Sequence, residues 1–301
     1  MEGERAPLLI VGAVTVDERG GRERAGGAAS YAARVASAFG LRARVLTTCG
    51  ADAELAPLAT HEVCALPAPR TLRFAHEADP AEAGGGRRLR LLERPGRRLD
   101  ASDLPAGWGD ERALFLGPLL PDDLDVASFG SHPARHVALA GQGLQRRVGA
   151  GGAITLRRSP APALLALLTV LGDRATLVLA EEERAGWGAA GRAALAATGA
   201  RLLVTQGARG AELHEPGASP LAVAPCPAGE VDATGAGDVF AAAFILALAA
   251  TLPGGAVEAA ALAACFAASS VERAGPGPLP PRAEIERRSA QARGGAGGRS
   301  R

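Results

Sequence analysis

Gly229 to Ala250 reads G-E-V-D-A-T-G-A-G-D-V-F-A-A-A-F-I-L-A-L-A-A. Gly235 and Gly237 bracket Ala236, Asp238 follows at once, and an unbroken run of good helix formers comes next. Glycine tolerates the positive φ angles that let successive backbone N–H groups converge on one point. A helix opening straight after such a turn adds the positive end of its dipole. The stretch therefore predicts an anion-holding nest with a carboxylate beside it. That pairing suits the removal of a proton from a hydroxyl while the nest stabilises a transferring phosphoryl group. The plainer alternative is a glycine turn before a buried helix, with Asp238 as a cap or first-turn acid.

Composition bounds the rest. A chain of 301 residues with 48% hydrophobic residues can bury a large core, and it suits one α/β domain with an elaboration. Aromatics are only 3%, so that core is built from Ala, Leu and Val. The net charge of +1 gives no global field for nucleic acid. All 33 basic residues are Arg, and no Lys is present, which excludes a P-loop lysine and a Schiff-base lysine. Cys49, Cys64, Cys226 and Cys265 are widely spaced without a C-x-x-C, so neither a disulfide framework nor a zinc site is expected. No signal-peptide pattern opens the chain, and the apolar run Val239 to Ala250 is too short for a membrane span. The expectation is a soluble, cytoplasmic protein.

Along the chain, Leu8 to Val14 reads as a buried first strand, and Asp17 follows at its carboxyl end, where ligands collect in open α/β sheets; a solvated turn residue is the plainer alternative. Gly26 and Gly27 precede a helix through Phe39 that Gly40 stops, and Ala43 to Thr48 reads as the next strand. Thr71 to His76 and Arg87 to Leu92 read as two strands around a Gly-Gly-Gly turn in an Arg-rich, solvated stretch. Ala113 to Gly117, Val137 to Ala140, Ala175 to Ala180 and Leu202 to Thr205 read as further strands. Pro121 to Ala127 and Leu164 to Leu171 read as helical. Gln142 stands at a strand end, where it could touch substrate, although an amide bonded to its own backbone is the commoner case. Gly207 and Gly210 follow a strand and mark a turn. After Ile285 the tail is rich in Arg, Ser and Gly and is expected to be disordered.

The motif D-A-T-G-A-G-D-V-F closely resembles the second signature of the ribokinase (PfkB) family of small-molecule kinases. Gly26-Gly27 with its helix, and V-T-Q-G-A-R-G at Val204 to Gly210, resemble other segments of the same family in the same order. The resemblance implies an α/β, doubly wound, mainly parallel sheet with a small β-sheet lid. The kinase domain would span residues 1–288 with the lid inserted around 66–100, and 289–301 would form a disordered tail. It implies ATP-dependent transfer of the γ-phosphoryl group to a hydroxyl of a sugar, polyol or nucleoside. Asp238 is then the general base, and the backbone of Gly235, Ala236 and Gly237 is the anion hole. Thr205, Gly207, Gly210 and Thr234 would line the ATP site, while Asp17, Gly26, Gly27 and Tyr31 would meet the acceptor. Tyr31 replaces the usual Asn, which unsettles a ribose or fructose preference, and on a helix it reads equally as core. Glu183 would face Mg²⁺, although Ala180 stands where relatives carry Asn. A monovalent cation and a homodimer joined through the lid belong to the same set of implications. Two alternatives stay open: a vitamin kinase of the pyridoxal type, and a non-catalytic nucleotide-binding protein that kept the fold. No G-x-G-x-x-G follows the first strand, which argues against a dinucleotide-dependent oxidoreductase.

Overall fold

Along strand β1 (Leu8–Gly12), Leu8 and Ile10 enter one apolar core while Leu9 and Val11 enter another. A strand apolar on both faces needs cover on both faces, and helices supply it. The computed structural model describes residues 7–78 and 87–296, and within them the chain order is as follows. After β1 come β2 (Thr15–Arg19), β3 (Arg22–Gly26), α1 (Ala28–Ala38), β4 (Arg44–Cys49), β5 (Glu62–Pro67), β6 (Leu72–Ala78) and β7 (Arg87–Glu93). Next are β8 (Ala113–Gly117), β9 (His136–Ala140), α2 (Gln142–Gln145) and a hairpin of β10 (Arg146–Val148) and β11 (Ile154–Leu156). Then follow α3 (Pro162–Leu171), β12 (Ala175–Ala180), α4 (Glu181–Ala185), α5 (Ala189–Ala196), β13 (Arg201–Thr205), β14 (Ala211–His214) and β15 (Leu221–Val223). Helices α6 (Ala236–Ala249), α7 (Gly255–Val271) and α8 (Arg282–Ala296) complete the chain.

The main sheet has nine strands in the order β15-β14-β13-β12-β9-β8-β1-β4-β5. Pairing is parallel from β13 through to β5 and antiparallel only at β14 and β15. This is the doubly wound, mainly parallel sheet expected from the sequence. Residues of α1, α6 and α7 fill the core on one face, and residues of α3 and α5 fill the other. The chain winds outward from β1 to β5, then restarts at β8 and winds the other way. The strand order therefore reverses between β1 and β8, and the crevice at their carboxyl ends is the expected ligand position. The packing there is tight. Gly12 pairs with Gly117, and a Cβ on Gly117 would meet Ala28 Cβ at 2.5 Å and the Phe115 ring at 2.7 Å.

A second sheet, β3-β2-β6-β7, stands over that end. Its make-up corrects one expectation. Half of it comes from β2 and β3, so the lid is not confined to a single insertion around 66–100. Asp17 accordingly lies in strand β2, paired with Arg24 and Phe74, rather than in a turn. The Gly-Gly-Gly turn lies outside the described residues. The Arg-rich stretch is a solvated face with acids interleaved: Arg70 meets Glu93 at 2.9 Å, Arg90 meets Glu77 at 2.7 Å and Arg94 meets Asp122 at 2.7 Å.

Pro121 to Ala127 forms no α-helix. Asp123 Oδ2 accepts the Leu119 N–H at 2.8 Å, a local bond that competes with helical pairing, and only the 3₁₀ turn Val126–Phe129 follows. Helix α8 runs through Ala296, into the stretch expected to be a disordered tail, and Ser289 is buried there. Among the described residues no helix is long and apolar enough to cross a membrane.

The switch point yields a stability test. Gly117→Val should destabilise the protein by about 1–3 kcal/mol, because overpacked side chains there have no space to yield. Gly237→Ala, where a Cβ meets nothing within 4 Å, should unfold in urea close to the wild-type midpoint. Equal midpoints for all three proteins would mean that α1 does not press on the switch point.

Candidate active site

The turn before α6 is set by Gly235, whose φ of 75° is left-handed. A Cβ there would also fall 2.3 Å from the Tyr31 ring, so glycine is required twice over. No side chain caps α6, and its first-turn amides have no intrahelical acceptor. The Ala236 N–H is used within the turn, donating to the Ala233 carbonyl at 3.2 Å. The remaining first-turn donors are therefore those of Gly237 and Asp238. Asp232 builds the turn from behind: its Oδ1 accepts the Thr234 N–H at 3.1 Å and the Thr234 hydroxyl at 2.7 Å. Arg19 and Arg24 of the small sheet reach the same carboxylate at 3.2 and 3.8 Å, which ties β2 and β3 to this loop.

Asp238 is only 3% exposed. Two residues hold it in place: Gln142, whose role here sequence reasoning did not foresee, and Arg146, which it missed. Gln142 Nε2 donates to Asp238 Oδ1 at 3.2 Å and Oδ2 at 3.3 Å. Arg146 Nη2 donates to Gln142 Oε1 at 3.0 Å, while its Nη1 donates to the Leu119 carbonyl at 2.8 Å. The guanidinium can only donate, so it fixes the Gln142 oxygen toward itself and turns the amide nitrogen to the carboxylate. Burial pushes the Asp238 carboxyl up to about 7; Arg146 and the Gln142 hydrogen bond pull it back, and Asp17 adds to the rise. Burial also lowers the Arg146 guanidinium, against which Glu183, Asp238, Asp123 and Asp17 all act. The available sequence signal was Q-G-L-Q-R directly after strand β9, which puts Gln142 and Arg146 four apart across a short helix.

One pocket gathers Asp17, Gly27, Tyr31, Thr234, Gly235 and Asp238 from the sequence-derived set, together with Gln142 and Arg146. Phe74, His76 and Leu89 of the small sheet close it from above. Asp17 is fixed by the Thr15 hydroxyl at 3.0 Å and stands 3.8 Å from His76 Nε2. Gly26 lies beneath it, where a Cβ would strike Asp17 Oδ2 at 2.2 Å; its role is to let that carboxylate sit against the backbone. Tyr31 is core and pocket wall at once. Its ring is 2% exposed and packs under Gly235, and it also lines the pocket. Burial, then the nearby Asp17 and Asp232, push its phenol up, so it stays protonated.

The other sequence-derived residues lie outside this pocket. Thr205 ends β13, and its hydroxyl donates to the Leu179 carbonyl at 3.4 Å. Gly207 has a φ of 57° and open space around it. Gly210, with a φ of 96°, is pressed by backbone: a Cβ would meet the Val223 carbonyl oxygen at 2.2 Å and Pro225 N at 2.9 Å. Glu183 folds back on its own helix start, its Oε2 accepting the Ala180 N–H at 2.9 Å, and burial pushes its carboxyl up to about 7. Among the described residues no group of three or more His, Cys, Asp or Glu is placed to hold a metal ion.

Comparison with known proteins follows the same lines. The family model described as pfkB family carbohydrate kinase matches residues 155–282. Curated proteins give no match. Among solved structures, a nucleoside kinase of Burkholderia thailandensis in complex with inosine superposes with a TM-score of 0.71 at 18% identity, over 95% of this chain and 98% of that one. A pyrophosphate-dependent kinase of the ribokinase family, complexed with a pyrophosphate analog and myo-inositol, gives 0.70 at 19% identity over 93% and 99%. The ribokinase of Arabidopsis thaliana, complexed with ribose and ATP, gives 0.68 at 18% identity over 95% and 99%. The chain thus has the ribokinase-family fold, and through residues 155–282 it matches the pfkB carbohydrate kinases.

Proposed function

We propose that the protein transfers the γ-phosphoryl group of ATP to a hydroxyl of a small ring-shaped polyol or nucleoside. The observation that carries this reading is Asp238: a buried carboxyl at an uncapped helix start, in one pocket with Asp17 and Arg146. In this reading Asp238 takes the proton of the acceptor hydroxyl. A base held near 7 is matched to that work, since enough of it is ionised while it still binds the proton well. The Gln142 amide keeps the carboxylate oriented. The amides of Gly237 and Asp238, with the Arg146 guanidinium, stabilise charge on the group in transfer. Asp17 accepts from acceptor hydroxyls, and the walls of Phe74, Leu89 and Tyr31 suit the apolar side of a ring.

The donor would lie along Thr205, Gly207, Gly210 and Thr234. Mg²⁺ is usually held mostly by phosphates and water, and asks a protein for only one or two carboxylates. Glu183, close enough to Asp238 and Arg146 to interact with both, fits that demand and would hold it. The ion, when bound, neutralises phosphate oxygens. Consumption of ATP or of pyrophosphate, measured against a panel of cyclic polyols, nucleosides and open sugars, tests the whole reading. Turnover of none of them would sink it.

Asp238→Asn should lower turnover by about 10²-fold or more while donor binding survives, because an amide cannot take the proton. The same variant has a stability signature. Folding holds the Asp238 carboxyl near 7 against an ordinary 3.8, so the unfolded chain releases this proton first. Wild-type stability is therefore lost as pH rises from about 4 to about 7. The thermal midpoint of Asp238→Asn relative to wild type should climb over that window and then level off. A pH-independent difference would mean that the carboxyl is not desolvated.

Removing the cation from its neighbour should push the base higher still. Arg146→Met is expected to move the rising limb of the kcat/KM profile to higher pH, beyond any fall in its plateau. A plateau loss with an unmoved limb would detach Arg146 from the base. On the acceptor side, Asp17→Ala leaves hydroxyl partners unmatched at a cost of roughly 1–3 kcal/mol, so the acceptor KM should rise about tenfold or more. The donor KM should stay put, and equal effects on both would place the acceptor elsewhere.

A further inference from the structure

A second cavity, of about 580 Å³, lies at the end of the main sheet opposite Asp238, and the chemistry above does not use it. Its walls come from the residues that lead into β8 and β9 and from the last turn of α6. Roughly 15 Å of helix separates Asp238, in the first turn of α6, from Leu248 in the last. A cavity of this size suits a small organic molecule.

Its charges point to the kind of molecule. The Arg135 N–H donates to the Arg112 carbonyl at 3.1 Å, so these two arginines stand side by side where β9 and β8 begin. Among the described residues neither guanidinium has a carboxylate partner. The two acids of the cavity are already engaged. Arg44 Nη1 donates to Asp110 Oδ1 at 3.1 Å and to Glu111 Oε1 at 2.7 Å. Glu111 Oε2 accepts the Gly109 N–H at 3.0 Å and lies 3.3 Å from His132 Nε2. The Glu111 side chain is wholly buried, so its charge is spent on these partners. His136 completes this wall; burial, then the Arg135 and Arg201 charges, holds its imidazole below the usual range. Near neutral pH it therefore offers a hydrogen bond without a charge.

The remaining lining differs in kind: Pro133, Leu248 and Ala249 are apolar. Beside them Thr251 has a φ of 53°, and among the described residues it is the one non-glycine with a positive φ. A β-branched residue held there is strained, and such strain gathers at ligand clamps. We propose that this cavity binds a small organic oxyanion, a carboxylate or phosphate ester carried on an apolar body. The anionic end lies on Arg112 and Arg135, whose planar guanidiniums match either oxyanion. The body lies against Pro133, Leu248 and Ala249. An occupant there holds the last turn of the helix that carries Asp238. A link to turnover rests on the reading of Asp238 as the base, whereas the binding itself does not.

The test titrates the full chain with phenylacetate and with phenyl phosphate by calorimetry at low ionic strength. At least one should bind and raise the thermal midpoint, and the tighter of the two tells a carboxylate from a phosphate ligand. The uncharged 2-phenylethanol, with a body of similar size, should bind about tenfold more weakly or not at all. Arg112→Met and Arg135→Met should each weaken the probe about tenfold. Arg287→Met, which removes an exposed charge on α8, should not. Both cavity variants should unfold close to wild type, since neither side chain has a partner to lose. In histidine ring spectra the His136 signal, assigned with His136→Gln, should move on titration, while that of His76 in the acceptor pocket stays put. No binding by either anion, equal binding of the alcohol, full affinity in both folded variants, or movement of His76 alone would overturn the proposal. With the probe saturating, kcat should change by about twofold or more in wild type and not in the Arg112→Met, Arg135→Met double variant. An unmoved kcat would leave the binding site standing and cut its link to Asp238.

Discussion

A single guanidinium, Arg146, sits where four carboxyls converge, and much of the pocket depends on it. Asp17, Asp123, Glu183 and Asp238 all lie close enough to act on its charge. Each arrives from a different part of the chain: β2, the turn after β8, α4 and α6. Carboxyls crowded in a low-dielectric crevice repel and resist ionisation, and a fixed cation among them is the economical remedy. Arg146 is itself anchored to backbone at Leu119 and stacked 5.4 Å from the Phe74 ring centroid. It therefore links the main sheet, the small sheet and, through Gln142, Asp238 in one contact set. Lysine, a point charge on a flexible stem, could not hold a carbonyl, an amide oxygen and an aromatic face at once.

The parallel sheet supplies the rest by geometry alone. The carboxyl ends of the parallel strands deliver Leu119, Gln142, Glu183 and Thr205 to one rim, and β2 of the small sheet carries Asp17 over it. Tight glycines then draw the helices close to that rim. Gly235 admits Tyr31 beneath the turn, and Gly26 admits the Asp17 carboxylate against the backbone. Nothing in this arrangement needs a large aromatic core, which agrees with the Ala-rich α6 and α7 that close one face.

The sequence carried the fold well because its signals were local. The helix stop at Gly40, the two-faced apolar strands and the glycine turn before α6 are all read from neighbouring residues. The turn that carries Asp238 was equally legible, since the two lie within four residues of each other. The rest of the site was not, because it is assembled across distance. Gln142 looked like a loop amide until its partner, 96 residues away, was known. Arg146 was one arginine among many. Gly210 is pressed by the chain's own backbone at Val223 and Pro225, a contact that no neighbouring residue announces. The two-part origin of the small sheet was hidden for a similar reason: β2 pairs in parallel with β6, a partner more than fifty residues on.

That two-part origin has a further consequence at the neck between the sheets. Only Ala13 and Val14 separate β1 from β2, and Gly27 returns the chain beside them, close enough that a Cβ would strike the Ala13 carbonyl oxygen at 2.4 Å. The neck is pinned on its other side by the Thr47 hydroxyl, which accepts the Val14 N–H at 3.1 Å. The small sheet is thus not a flap hung from a loose tether. It is cantilevered from the central strand, and Asp17 sits on the arm itself. Any swing of the arm that widens the entrance also withdraws Asp17 and His76 from the pocket. Capture of the acceptor and closure of the site would then be one motion, and a molecule without hydroxyls for Asp17 would have little means of keeping the arm down.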